Sequence, residues 1–164
     1  MYTLEIDDKE LTAQLDKLAT LLADLSPVMQ AIGDALIAST RDRLEEGISP
    51  DGTPFAPRSE AALKRYERSH ESYFPTPLSR SGHMASETMH TMFGPDFLYV
   101  GSSAIQSAVM QFGAERGASG TMKNGSPIPW GNIPARPFIG LSEGDKEMIL
   151  ETLFEEIAAI LGGN

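Results

Sequence analysis

Leu11, Leu15, Leu18, Leu22 and Leu25 recur at steps of four, three, four and three. That spacing draws one apolar stripe along an α-helix and is incompatible with the two-residue repeat of a strand. Asp7, with Glu10 three residues on, reads as a capping box that uses Asp as the cap. Ser26-Pro27 then stops this helix and opens a second, because proline suits the first helical position. Val28, Ile32, Ala35 and Leu36 are expected to form the buried face of the second helix, and Gly47 suits its C-terminal stop. The chain therefore opens with a helical pair over about 8–46. A stripe of only two heptads is read as a core face rather than an independent coiled coil.

The far end repeats the helical theme. Ser142 followed by Asp145 starts a helix over about 143–161, with Ile149, Leu150, Leu153, Phe154, Ile157 and Leu161 on its apolar face and Gly162-Gly163 ending it. Between these ends the period changes. "ETMHTMF" (87–93) and "FLYVGS" (97–102) flank Gly94-Pro95-Asp96, which reads as a β-hairpin. "AIQSAVMQF" (104–112) suits either a strand or a short helix. Most of the 15 glycines and 11 prolines fall in two long connections, Ile48 to Ser86 and 113–132. The first opens on turn chemistry at Ser49-Pro50-Asp51-Gly52 and carries a short charged helix from Ser59 to Arg68. Connections of this length usually serve a purpose, and part of the first is expected to order only on a partner. The expected fold is α+β, with the N-terminal helical pair and the C-terminal helix packed on a small central antiparallel β-sheet. A single domain over 1–164 fits this length.

Chemistry is hard to find in these residues. With no cysteine, disulfides and thiol nucleophiles are excluded. His70, His83 and His90 match no metal-ligand spacing, and His90, between Met89 and Thr91, reads as a sheet-surface histidine. "PLSRSGHM" (77–84) lacks the G-x-S-x-G of a nucleophile elbow, and "GASGTMKNG" (117–125) lacks the spacing of a phosphate-binding loop. Asp7-Asp8, Glu45-Glu46 and Glu155-Glu156 read as solvated charge or caps. No catalytic residue, metal site or cofactor is assigned. A small hydrolase of a cell-wall or nucleotide substrate would need a site assembled from distant residues. No apolar run reaches the roughly 20 residues of a membrane span, and the acidic start "MYTLEIDDKE" is unlike a secretory signal.

Charge is placed unevenly. Of the net −10, residues 1–40 and 137–164 carry −5 each, while 41–136 balance. A basic nucleic-acid footprint is missing; a solvated acidic surface explains the asymmetry, as it would in a monomeric acidic adaptor. The loops, by contrast, carry aromatics, prolines and single arginines, the residue types that concentrate interface energy. "NIPARPFIGLSEGD" (132–145) reads as a latch: its prolines stiffen an arm, and Arg136, Pro137 and Phe138 lead the expected interface, followed by Phe112, Arg80 and Trp130. Whether Phe138 closes on its own subunit or on a neighbour stays open at this level. If it closes on a neighbour, Arg136→Ala with Phe138→Ala leaves a folded subunit that fails to assemble.

Four stretches in order carry a resemblance: "SPDGTPFAP" (49–57), "PLSRSGHM" (77–84), "VGSSAIQSAVMQFG" (100–113) and "IPARPFIGLSEGD" (133–145). Together they resemble the phage virion morphogenesis (tail completion) proteins of Mu-like and P2-like phages. Met110 stands where many members have histidine, Met84 where leucine is usual and Phe55 where tryptophan is frequent; the apolar exchanges preserve volume. The resemblance implies a structural protein, not an enzyme. It would act late in virion assembly in the host cytoplasm, finish the tail and enable head–tail joining. It also implies a homo-oligomer, often a sixfold ring on the tail axis, with the tail tube and the neck or head-completion proteins as partners. DNA would be met only in non-specific passage through a lumen, which the acidic helices would line.

Overall fold

The computed structural model describes residues 9–69, 76–78, 84 and 88–162. Helix α1 spans Lys9–Ala23 and α2 spans Ser26–Glu46. Pro27 sits in the first turn of α2, and the axis bends by 56° at the break. Gly47 ends α2 in the left-handed conformation, its N–H donating to the Arg43 carbonyl, as a C-terminal glycine should. Helix α3 (Glu60–Ser69) precedes an antiparallel hairpin of β1 (Met89–Phe93) and β2 (Leu98–Ser102), in which Thr91 faces Val100. The 104–112 stretch resolves as a short helix, α4 (Ser107–Phe112), and α5 (Glu143–Leu161) closes the order. The architecture is α+β, with a two-stranded sheet among the described residues.

Helix α2 is the spine. Val28, Ile32 and Leu36 are buried against Leu98 of the hairpin and Met148, Ile149 and Leu153 of α5. About two turns further along α2, Leu44 joins Phe55, Leu78, Met84, Met89 and Phe138 in a second cluster. Gly33 sets the approach of the hairpin: a methyl group there would meet Thr91 at 3.0 Å and Leu98 at 3.1 Å. No single described helix is long and apolar enough to cross a membrane.

The leucine stripe of α1 is not the core face that its period suggests. No residue of α1 is buried, and Leu11, Leu15 and Leu22 are more than half exposed. The helix is tied in through Leu21, with Leu25 just beyond its end, against the α2 cluster, and through Gln14, whose Nε2 donates to the Leu161 carbonyl of α5. The stripe needs a partner face, and this subunit offers one only along part of its length. On α5 the apolar residues likewise divide, with Ile149 and Leu153 inward and Leu150, Phe154 and Leu161 outward. The proposed cap residue Asp7 lies outside the described residues.

Candidate assembly surface

The segment 132–142 has no regular secondary structure, yet side chains and backbone groups from several parts of the chain bond to it. Phe138 is fully buried in the cluster around Leu44, and full burial of such a ring is worth about 2–3 kcal/mol. Gln111 of α4 satisfies the backbone beside it. Its Oε1 accepts from the Phe138 and Ile139 N–H groups at 3.0 and 3.1 Å, and its Nε2 donates to the Ile139 carbonyl at 2.9 Å. One amide side chain thus does what a neighbouring strand would do for buried backbone groups.

Arg136 is also turned inward. Its Nε donates to the Ala56 carbonyl at 2.6 Å, its Nη2 to the Pro57 carbonyl at 2.8 Å, and its backbone N–H to the Met110 carbonyl at 2.7 Å. It is 7% exposed. Desolvation, and secondarily the charge of Arg58, lower its pKa from the ordinary guanidinium value. Gly113 lets the neighbouring strands of chain close: its φ of 75° with ψ of 176° is territory for glycine alone. A side chain there would meet the Ala135 nitrogen and the Ile133 oxygen at 2.8 Å.

The downstream end is locked by a buried ionic knot. Arg43 Nη1 donates to Asp145 Oδ2 at 2.7 Å and to Ser39 Oγ at 2.6 Å, while its Nη2 reaches Thr40 Oγ1 and the Gly140 carbonyl, each at 3.1 Å. Asp145 also completes the predicted cap: the Ser142 N–H donates to its carboxylate and its own N–H donates to Ser142 Oγ. Burial alone raises the Asp145 pKa, but hydrogen bonds from Ser39 and Ser142 and the Arg43 charge outweigh it and hold the carboxyl below its ordinary value. The Arg43–Asp145 pair was not anticipated from sequence. Its signal was a charged residue seven positions after Leu36, on the buried face of α2.

The expected interface residues therefore separate. Phe138 and Arg136 are held within their own subunit, so the double alanine substitution would test stability before assembly. Pro137 is exposed between them. Phe112 and Trp130 are 79% and 70% exposed at the edges of the 113–132 loop. That loop is braced by bridges between Ala114 and Ile133 and between Thr121 and Pro127. Arg80, His70 and His83 lie outside the described residues, and His90 is exposed on β1. Among the described residues no three His, Asp or Glu side chains gather as metal ligands.

A sequence model of the phage virion morphogenesis family matches residues 6–158. The chain belongs to the phage virion morphogenesis family. Among its relatives, protein G of Escherichia phage Mu, whose name proposes a role in capsid assembly, is 27% identical over 157 residues. That alignment covers 95% of this chain and 94% of the Mu protein. Tail completion protein S of Escherichia phage P2 is 28% identical over 152 residues, covering 87% of this chain and 93% of that protein. No solved structure matches the chain. For this virion morphogenesis protein, the matched span runs from the exposed leucine helix through the Arg136–Phe138 latch and into α5.

Proposed function

We propose that this protein is a structural component that acts late in virion assembly, completing the tail and making it competent to join the head. The observation that carries the reading is similarity over nearly the whole chain to the tail completion protein of phage P2. The surface supports it. Tyr99, Phe112, Trp130, Leu150 and Phe154 are each more than half exposed, and apolar exposure on this scale marks contact surfaces.

The working state is a homo-oligomer, arranged as a ring on the tail axis, which requires one patch of a subunit to meet a different patch of the next. Phe112, Trp130 and Pro137 are the direct contacts, presented on a loop that Arg136 and Phe138 anchor from within. The tail tube and neck are the further partners, and DNA meets the ring only in passage. Deleting the gene from the parent phage should yield separate full heads and unfinished tails by electron microscopy. Normal infectious particles would sink the reading. Phe112→Ala with Trp130→Ala should leave a folded subunit that cannot complete tails.

A further inference from the structure

The 113–132 loop is built as an arm. Its backbone bonds join its own two sides: the Gly117 N–H donates to the Pro129 carbonyl at 3.0 Å and the Ser119 N–H to the Ile128 carbonyl at 2.7 Å. The Ile128 N–H donates to the Gly120 carbonyl and the Met122 N–H to the Ser126 carbonyl, each at 2.8 Å. These bonds lie between the Ala114–Ile133 bridge at the base and the turn at Lys123-Asn124. None of residues 113–132 is buried. The arm nevertheless carries Trp130, the only tryptophan of the chain, with 70% of its surface open to solvent. A braced arm loses little freedom on docking, and an indole is the side chain that most concentrates binding energy.

The subunit also has a cavity that such a side chain fits. It measures about 310 Å³ and lies where α2, β2, the 132–142 segment and α5 converge. Leu36, Leu98, Val100, Ile139, Leu141 and Ile149 line it. Its one polar side chain, Thr40, is already bonded to Arg43 Nη2 at 3.1 Å. A cavity of about 150 Å³ with a similar lining takes up benzene, so one of twice that size has room for a two-ring indole. Leu141 is 50% exposed, so the cavity wall reaches the surface there. Charge agrees with the fit. The arm holds Arg116 and Lys123 against Glu115, a net of +1. Helix α5, which supplies Ile149 to the wall, holds five acids besides the buried Asp145 against Lys146 alone.

We infer that the 113–132 arm of one copy of this chain places Trp130 in this cavity of the next. The inference rests on the oligomeric reading above and gives it a direction. Arm and cavity are different patches, so the contact is heterologous and passes from copy to copy until a ring closes. Enclosing the indole removes about 150–250 Å² from water. The 132–142 segment serves both halves of the contact, holding the base of the arm at Ile133 and the cavity wall at Ile139 and Leu141.

Because Trp130 is the sole tryptophan, its fluorescence tests the contact in the unaltered protein. On assembly, followed by sedimentation, its emission should shift to the blue and its quenching by acrylamide should fall. A wild type that assembles with Trp130 as open to acrylamide as in the monomer overturns this contact and leaves the oligomer standing. A wild type that is monomeric at every concentration overturns both. Trp130→Ala and, separately, Leu141→Arg should each weaken self-association about 30-fold or more, with circular dichroism to confirm folding. Leu141→Gln takes the place of Leu141→Arg if the latter does not fold. Either folded variant assembling like the wild type overturns the proposal. Trp130→Ala keeps the cavity and Leu141→Arg keeps the arm, so mixing them restores one contact per pair. The only tryptophan in that mixture belongs to the Leu141→Arg chain. Its emission should shift to the blue as Trp130→Ala is added and level off at one to one. Emission that stays unchanged across the titration overturns the proposal.

Discussion

Two regions of this subunit reverse the usual association of regular structure with burial. Helix α1 is regular over 15 residues and buries none of them. The 132–142 segment is irregular and holds the fully buried Phe138 and the nearly buried Arg136. Periodicity says which side chains share a face, but not whether the subunit has anything to lay against that face. An irregular segment can enter a core when its backbone groups find partners, as Gln111 and Arg43 provide here.

The sharpest way to break this contrast is Phe138→Ala. It should cost about 3–5 kcal/mol in urea denaturation, as in the centre of a helical core. A loss below about 1 kcal/mol would mean that the loop is draped over the core rather than built into it.

Next in size is Asp145→Ala, which strands the buried Arg43 charge and should cost about 3 kcal/mol at neutral pH. Because the folded-state pKa of Asp145 is depressed, its contribution is complete above the ordinary carboxylate pKa near 4 and is lost as pH falls below it. The stability gap between wild type and variant should therefore hold from pH 7 to about 5 and narrow toward pH 3. A gap that widens with acid would refute the assignment.

The smallest effect is expected for Leu15→Gln on α1, within about 0.5 kcal/mol as for other exposed positions. A cost above 2 kcal/mol, appearing only at concentrations where the protein self-associates, would show that another copy covers the stripe.

Much of the fold was legible. Proline at 27, glycine at 47 and the Ser142–Asp145 cap mark helix ends through local backbone chemistry, which needs no knowledge of tertiary structure. The hairpin followed from its turn and alternating strands, with strand ends drawn in by one or two residues. What the sequence hid was long-range. Arg43 and Asp145 are 102 positions apart, and Arg136 reaches carbonyls 79 and 80 positions away. An arginine between two prolines reads equally well as an outward anchor or an inward one. The partners that decide the matter are neutral backbone groups of Ala56 and Pro57, and these leave no mark in composition.

The ionic knot at Asp145 moors helix α5 at one end only. At the other end, the Leu161 carbonyl accepts an exposed bond from Gln14 at 3.2 Å. Thermal opening of this helix therefore starts at its distal tip and runs toward the knot, where a buried guanidinium resists exposure. The distal half, tied to α1 by an exposed bond, is the part that can adjust to a neighbour, while the moored half keeps the subunit's register.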